Sequence, residues 1–333
     1  MDSKYHDEWA WGLASGQWDP DIVSVRTDPY FRAPLYPYCL AGLYRVLGRD
    51  YYAARLVQAL IGAATVVLLF LVTIRMFGRR AAILAGLLYI GYWPMTYFSG
   101  ELLIPVVAIA LDLTMILLLL VASGKRSMLL WALAGAFLGM SGIARPNVLL
   151  AAPFLGIWIW RSVRPATYGP SPWRSILAFY LASLAVVAPV TFRNAIVGGD
   201  FVPIASQGGV NFYIGNNPEA DGVTAIAPGT RGDWWGGFNE TRDLAEQELG
   251  RELKYSEISR YWYRQGLRFW TDHPVGAVKL YLRKFVLLFG NGEISNNRQI
   301  YFMRSRSRVL KSLPINFSVL FAFAALGVIG VLY

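Results

Sequence analysis

A chain of 333 residues that is 55% hydrophobic and only 16% charged, with a mean hydropathy of +0.40, is too apolar for a soluble protein of this size. Its net charge of +10 is spread between apolar runs and forms no basic helix, which argues against a nucleic-acid partner and is explained by topology and anionic headgroups. The single Cys39 excludes an intramolecular disulfide and any multi-cysteine metal cluster.

In chain order, residues 1–52 lack the basic start and apolar core of a signal peptide. Residues 6–14 read as an amphipathic surface helix carrying Trp9, Trp11 and Leu13, with Asp7 and Glu8 on a solvated face. Pro20, Pro29, Pro34 and Pro37 then predict an irregular loop with short helices. Membrane-length or near-membrane-length apolar runs follow at 56–74, 81–97, 102–121, 128–143, 148–160 and 175–192, the fourth and fifth hinged at Arg145-Pro146-Asn147. Arg75/Arg79/Arg80, Lys125/Arg126 and Arg161/Arg164/Arg174 all fall on one side, which the positive-inside rule makes cytoplasmic. Residues 1–52, Glu101, Arg145 and the stretch after Phe192 are therefore expected outside.

Residues 193–313 are more polar. Phe201-Val202-Pro203-Ile204 and Val210-Asn211-Phe212-Tyr213-Ile214 read as two strands, and Gly215-Asn216-Asn217-Pro218 as a turn. Helices are expected at 239–249 and at 256–272, the latter capped by Ser256, buried along Ile258, Trp262, Gln265 and Phe269, and stopped by His273-Pro274. Lys279, Arg283 and Lys284 make 275–289 an interfacial helix, and 314–333 is one more apolar span. The organisation expected is an outer loop (1–52), a transmembrane helical bundle (53–192), an outer segment of small mixed α/β character (193–312) and a further span (313–333).

Several of these stretches together resemble a known family. Asp2…Trp9-Ala10, Phe31-x-Ala33-Pro34-Leu35-Tyr36-Pro37-Tyr38, Arg55-Leu56-Val57-Gln58, Phe77-Gly78-Arg79-Arg80, Gly100-Glu101-Leu102-Leu103, Arg145-Pro146-Asn147 and Gly208-Gly209-x-Asn211-Phe212-Tyr213-x-Gly215-Asn216-Asn217-Pro218 occur in the order seen in bacterial glycosyltransferase family 39 proteins. These are GT-C fold enzymes related to protein O-mannosyltransferases and to the aminoarabinose transferase of lipid A. The resemblance implies an all-α polytopic membrane protein of the bacterial cytoplasmic membrane. Its active site would be extracytoplasmic, moving a sugar with inversion from a polyprenyl-phosphate donor to a lipid, protein or envelope-glycan acceptor. It also implies a preceding transmembrane helix and a further C-terminal part.

In such enzymes an acid in the first outer loop acts as general base or organises the acceptor, and that position matches Asp2. Relatives often carry two adjacent acids, whereas this chain has Asp2-Ser3. Asp7 is the reserve base, and a second acid in the next outer loop matches Glu101. The reaction needs one base and one or two cations for the leaving phosphate; Arg145, Lys284 and Arg283 are the candidates for the latter, with backbone capping and headgroup snorkelling as their plain alternatives. Some relatives bind a divalent cation. His6 and His273, with Asp2 or Glu101, would complete such a site, while helix termination accounts for His273 without a metal. Asp112 lies inside a span and calls for a partner in the bundle. No Gly-x-x-x-x-Gly-Lys-Ser/Thr pattern occurs, which argues against nucleotide hydrolysis. A transporter or a noncatalytic scaffold for envelope glycan assembly is the competing class; the former calls for internal repeats and midplane polar breaks, which the chain lacks beyond Asp112 and Pro105.

Overall fold

The computed structural model describes residues 2–125, 127–163, 171–232, 234–290, 292–295 and 299–332. Arg126 and Arg164 of the basic loops and Tyr333 lie outside the described residues. Among the described residues the chain is all-helical and three helices are long and apolar enough to cross a membrane: α3 (Tyr51–Phe77), α6 (Pro105–Lys125) and α9 (Pro172–Ile196). The protein is an integral membrane protein built as a helical bundle. Two compact units are distinguished, one of Ser3–Ile90 with Met95–Ala205, the other of Ser206–Tyr333 with Gly91–Pro94 and Asp2.

In the first unit, α1 (Asp2–Ser15) begins earlier than its periodicity predicts and ends where Gly16 adopts φ +78°. It is not a surface helix. Trp9 and Ala10 are wholly buried, and Ala10 shares an apolar cluster with Tyr36, Leu40, Ala41 and Tyr44 of α2 (Leu35–Leu47), Ala54 of α3 and Leu102. Pro37 sits in the first turn of α2, where its missing N–H costs nothing, so the proline-rich loop carries a 13-residue helix.

The apolar run 81–97 does not form one span. It is divided into α4 (Arg79–Gly91) and α5 (Trp93–Ser99), because Pro94 at the start of α5 supplies no N–H and the Gly91 carbonyl accepts from the Ile315 amide instead. α7 (Met128–Ala144) is apolar but 17 residues long, and the run after it is a 3-10 turn (Pro146–Ala151) followed by α8 (Ala152–Ser162). The hinge at Arg145-Pro146-Asn147 forms where it is expected.

The bundle core lies between α6, α7, α8 and α9, where Met115, Leu119, Trp131, Leu138, Ile159 and Phe179 are buried. α7 meets α9 through Gly135-x-x-x-Gly139. A Cβ on Gly135 would stand 1.8 Å from the Phe179 carbonyl oxygen, and one on Gly139 2.6 Å from that of Ser183. In lipid, where helices gain nothing from leaving the solvent, backbone contact of this kind is the main source of association.

In the second unit the expected strands are absent. Val210–Ile214 belongs to α10 (Gly208–Ile214), and Phe201–Ile204, which falls in the first unit, is irregular. Two tertiary features override the β-type composition. Gly209 lies against α12 (Tyr255–Asp272) with its amide donating to Ser259 Oγ, and a Cβ there would stand 1.8 Å from the Ser259 carbonyl. The Asn216 and Asn217 side chains then donate to the Phe212, Tyr213 and Ile214 carbonyls, ending the helix. α12 buries Ile258, Trp262, Gly266 and Phe269; its cap is Lys254, not Ser256, with Glu257 accepting from the Lys254 amide at 3.0 Å. α11 (Trp234–Leu249), α13 (Pro274–Leu288), the short α14 (Ile300–Arg306) and α15 (Arg308–Ser312), and the apolar α16 (Phe317–Leu332) complete the unit.

Gly135→Val is expected to separate α7 from α9 at a cost of about 1–3 kcal/mol or more, seen as a lowered melting temperature and loss of monodisperse protein in detergent. Gly124→Ala, in the same apolar bundle but facing open space, leaves both unchanged.

Candidate functional site

The most connected polar cluster of the first unit gathers around Asp7 and Tyr36. Asp7, 5% exposed, takes four donors: Tyr44 Oη (2.6 Å) and Arg49 Nε (3.3 Å) on Oδ1, and Arg49 Nη2 (2.6 Å) and Tyr51 Oη (2.9 Å) on Oδ2. Arg49 also pairs with Glu8 at 2.9 Å and lies over the Trp11 ring. The pair Asp7 and Glu8 is thus no solvated face. Three helices are tied at one carboxylate, and both its oxygens are engaged, which suits an organising role better than that of a free base. Burial, followed by the hydrogen bond to Asp7, pushes the Tyr44 hydroxyl well above its ordinary range, so it stays a donor.

Tyr36 stands beside this knot, its hydroxyl within electrostatic reach of Asp7, Arg55 and Glu101. Burial is the main reason its proton is held far more tightly than in water. It donates to Gln58 Oε1 at 2.5 Å, and Gln58 Nε2 donates to the Glu101 carbonyl at 2.6 Å. Arg55, one turn earlier on α3, donates through Nε to the Gly100 carbonyl at 2.9 Å. Glu101 is itself 7% exposed. One of the two expected outer-loop acids, Glu101, therefore belongs with Asp7 to a single constellation built from α1, α2, the start of α3 and the turn before α6.

A second cluster lies at the end of α7. Ser141 Oγ donates to Asp112 Oδ1 at 2.5 Å, and the Arg145 guanidinium lies within electrostatic reach of the same carboxylate. Asp112 so acquires in Ser141 the bundle partner its position calls for, and Arg145 is exposed at the hinge. A third junction ties α9 to the first loop: Arg193 donates to the Val25 and Asp28 carbonyls and lies 4.1 Å from the Tyr30 ring. The wholly buried Asn194 accepts from the Tyr30 amide (3.0 Å) and donates to the Val202 (2.9 Å) and Ile204 (3.1 Å) carbonyls.

The remaining candidates fall elsewhere. Asp2 opens α1 and clusters with the second unit. On α13, Arg283 is exposed, whereas Lys284 is half-buried and donates to the Gly215 carbonyl; burial lowers its pKa. His6 packs edge-on against Tyr36 at 5.2 Å, and His273 caps α12 beside Phe269. Among the described residues no group of three or more His, Cys, Asp or Glu is placed to hold a metal ion.

Residues 31–192 match the family described as dolichyl-phosphate-mannose-protein mannosyltransferase. Over that stretch the chain is similar to this family. Among solved structures, the chain is similar to ArnT from Cupriavidus metallidurans in its apo-state crystal structure, at 16% sequence identity and a TM-score of 0.45, covering 78% of this chain and 48% of that one. The chain thus spans about half the length of that protein. No curated protein matches the sequence. The family stretch contains Tyr36, Gln58, Glu101, Asp112 and Arg145, and leaves out Asp2, Asp7, His273, Arg283 and Lys284.

Sequence reasoning singled out Asp7 and Glu101 but passed over Arg49, Tyr44 and Tyr51, which hold Asp7, and Arg193 and Asn194, which hold the loop. Gln58 lies in Arg55-Leu56-Val57-Gln58, where a primary amide in an otherwise apolar run is the signal of a buried partner. Arg49→Met, which leaves Asp7 buried with tyrosine donors only, is expected to lower unfolding stability by about 1–3 kcal/mol, measured by thermal denaturation in detergent. Arg45→Met, on an exposed bond to the Leu13 carbonyl, changes it little.

Proposed function

We propose that the protein is a GT-C type glycosyltransferase that moves a sugar from a polyprenyl-phosphate carrier to an acceptor hydroxyl on the extracytoplasmic face of a bacterial cytoplasmic membrane, with inversion. The observation that carries the reading is the family match of residues 31–192, which encloses the buried Tyr36, Gln58 and Glu101 cluster.

The acceptor oxygen attacks the anomeric carbon from the face opposite the carrier phosphate. The bond from that carbon to the phosphate oxygen breaks, and the carrier leaves with the electron pair. A carboxylate takes the hydroxyl proton as the new bond forms. Asp2 is assigned this role from its match to the first-loop acid of the family, and Glu101 is the second acid, bordering the acceptor. Asp7, with both oxygens already engaged, ties α1 to α2 and the start of α3. Arg145, or alternatively Lys284 or Arg283, would neutralise charge on the departing phosphate, where preformed cations are most effective. Arg145 is favoured by its exposure at the hinge. The acceptor is a protein, lipid or envelope-glycan hydroxyl.

Mass spectrometry of glycans and glycolipids from a deletion strain is expected to reveal one missing modification, which names donor sugar and acceptor together; an unchanged profile counts against transfer. Restoring the gene as Asp2→Asn is expected to give normal membrane insertion with transfer reduced at least about 10²-fold. Full restoration removes Asp2 from the mechanism.

A further inference from the structure

The turn between α5 and α6 is held by α3 in an unusual way. Arg55 Nε donates to the Gly100 carbonyl (2.9 Å) and Gln58 Nε2 to the Glu101 carbonyl (2.6 Å). These two carbonyls belong to the peptide planes on either side of the Glu101 Cα. Each plane is rigid, so fixing both fixes the direction of the bond from Cα to Cβ at Glu101. Arg55 and Gln58 are three residues apart and share a face of α3, which lets one helix hold both planes.

Hydrogen-bond chemistry also sets the orientation of the Gln58 amide. A carbonyl can only accept, so the nitrogen of Gln58 faces Glu101 and its oxygen faces Tyr36. The Tyr36 hydroxyl must then donate, as it does at 2.5 Å. Burial keeps that proton in place. The chain of donation runs one way, from Tyr36 on α2 through Gln58 on α3 to the Glu101 backbone, and all three residues are buried.

We infer that Gln58, with Tyr36 and Arg55, is a positioning device that aims the Glu101 carboxylate into the reaction site. This rests on the glycosyl-transfer reading. Gln58 acts through Glu101 and touches no substrate, so its effect falls on turnover and not on donor binding. A carboxylate displaced by about 1 Å loses roughly 10²-fold in rate.

The test uses the full chain in lipid nanodiscs. Gln58→Met keeps the volume of the side chain and removes both hydrogen bonds. It is expected to lower kcat by about 10–100-fold with donor KM changed by less than about twofold, and to speed amide exchange at residues 98–104. Placed on a Glu101→Gln background it costs nothing further, because the group it positions is already gone. Tyr36→Phe, which removes one hydroxyl, moves the same readouts in the same direction by less, and decides the matter if Gln58→Met fails to fold. Unchanged exchange in the turn, or a Gln58→Met penalty that multiplies in full on Glu101→Gln, overturns the inference. If the wild-type protein transfers no sugar while Gln58→Met still loosens the turn, the clamp stands and the glycosyl-transfer reading falls.

Discussion

A carboxylate removed from water has to be met by donors, and at Asp7 that requirement organises the front of the molecule. Ionised and buried, it would be costly to leave bare. The chain meets it with two phenols from α2 and the start of α3 and one guanidinium from the turn between them. Because Arg49 also holds Glu8 and covers Trp11, α1 cannot shift along α2 without uncovering a charge. The apolar cluster of Ala10, Tyr36, Leu40, Tyr44 and Leu102 packs on the frame so defined, and Tyr36, at its edge, starts the hydrogen bonds that reach Glu101.

The same rule recurs at the other junctions of the first unit. Asn194, fully buried at the end of α9, spends its amide on three backbone groups of two loops, and so joins the first loop to the stretch after the last span. Asp112 within α6 meets Ser141 near the end of α7. Between these polar ties the bundle depends on shape. Gly135 and Gly139 let α7 and α9 meet backbone to backbone, which suits a lipid environment that gives little reward for apolar burial. Rigid packing in the span thus supports polar groups at one end.

Much of this was legible from the amino acids. The long spans announced themselves, since 20 or so apolar residues have few other uses. The hinge at Arg145-Pro146-Asn147, the stop at His273-Pro274 and the turn at Gly215-Asn216-Asn217-Pro218 follow from proline, glycine and asparagine chemistry that acts over a few residues. The misreadings share a cause. Val210-Asn211-Phe212-Tyr213-Ile214 has strand-like composition but is a helix, because Gly209 fits against α12 and two asparagines cap its end. The run 81–97 is apolar enough to be one span, yet breaks at Tyr92 where the backbone turns to Ile315.

By itself the sequence determined that the chain lives in a membrane, where its long apolar helices run, which ends carry the basic residues, and that Asp7 and Glu101 were acids to watch. Those properties depend on hydropathy, charge and local backbone chemistry, each read within a short window. Only the tertiary structure decided that Asp7 is tied by Arg49, Tyr44 and Tyr51, 37 to 44 positions away, and that Gln58 holds the backbone of Glu101 across 43. Partners at such separations are chosen by how whole helices pack. A single sequence carries the donors and the acceptors but not the pairing between them.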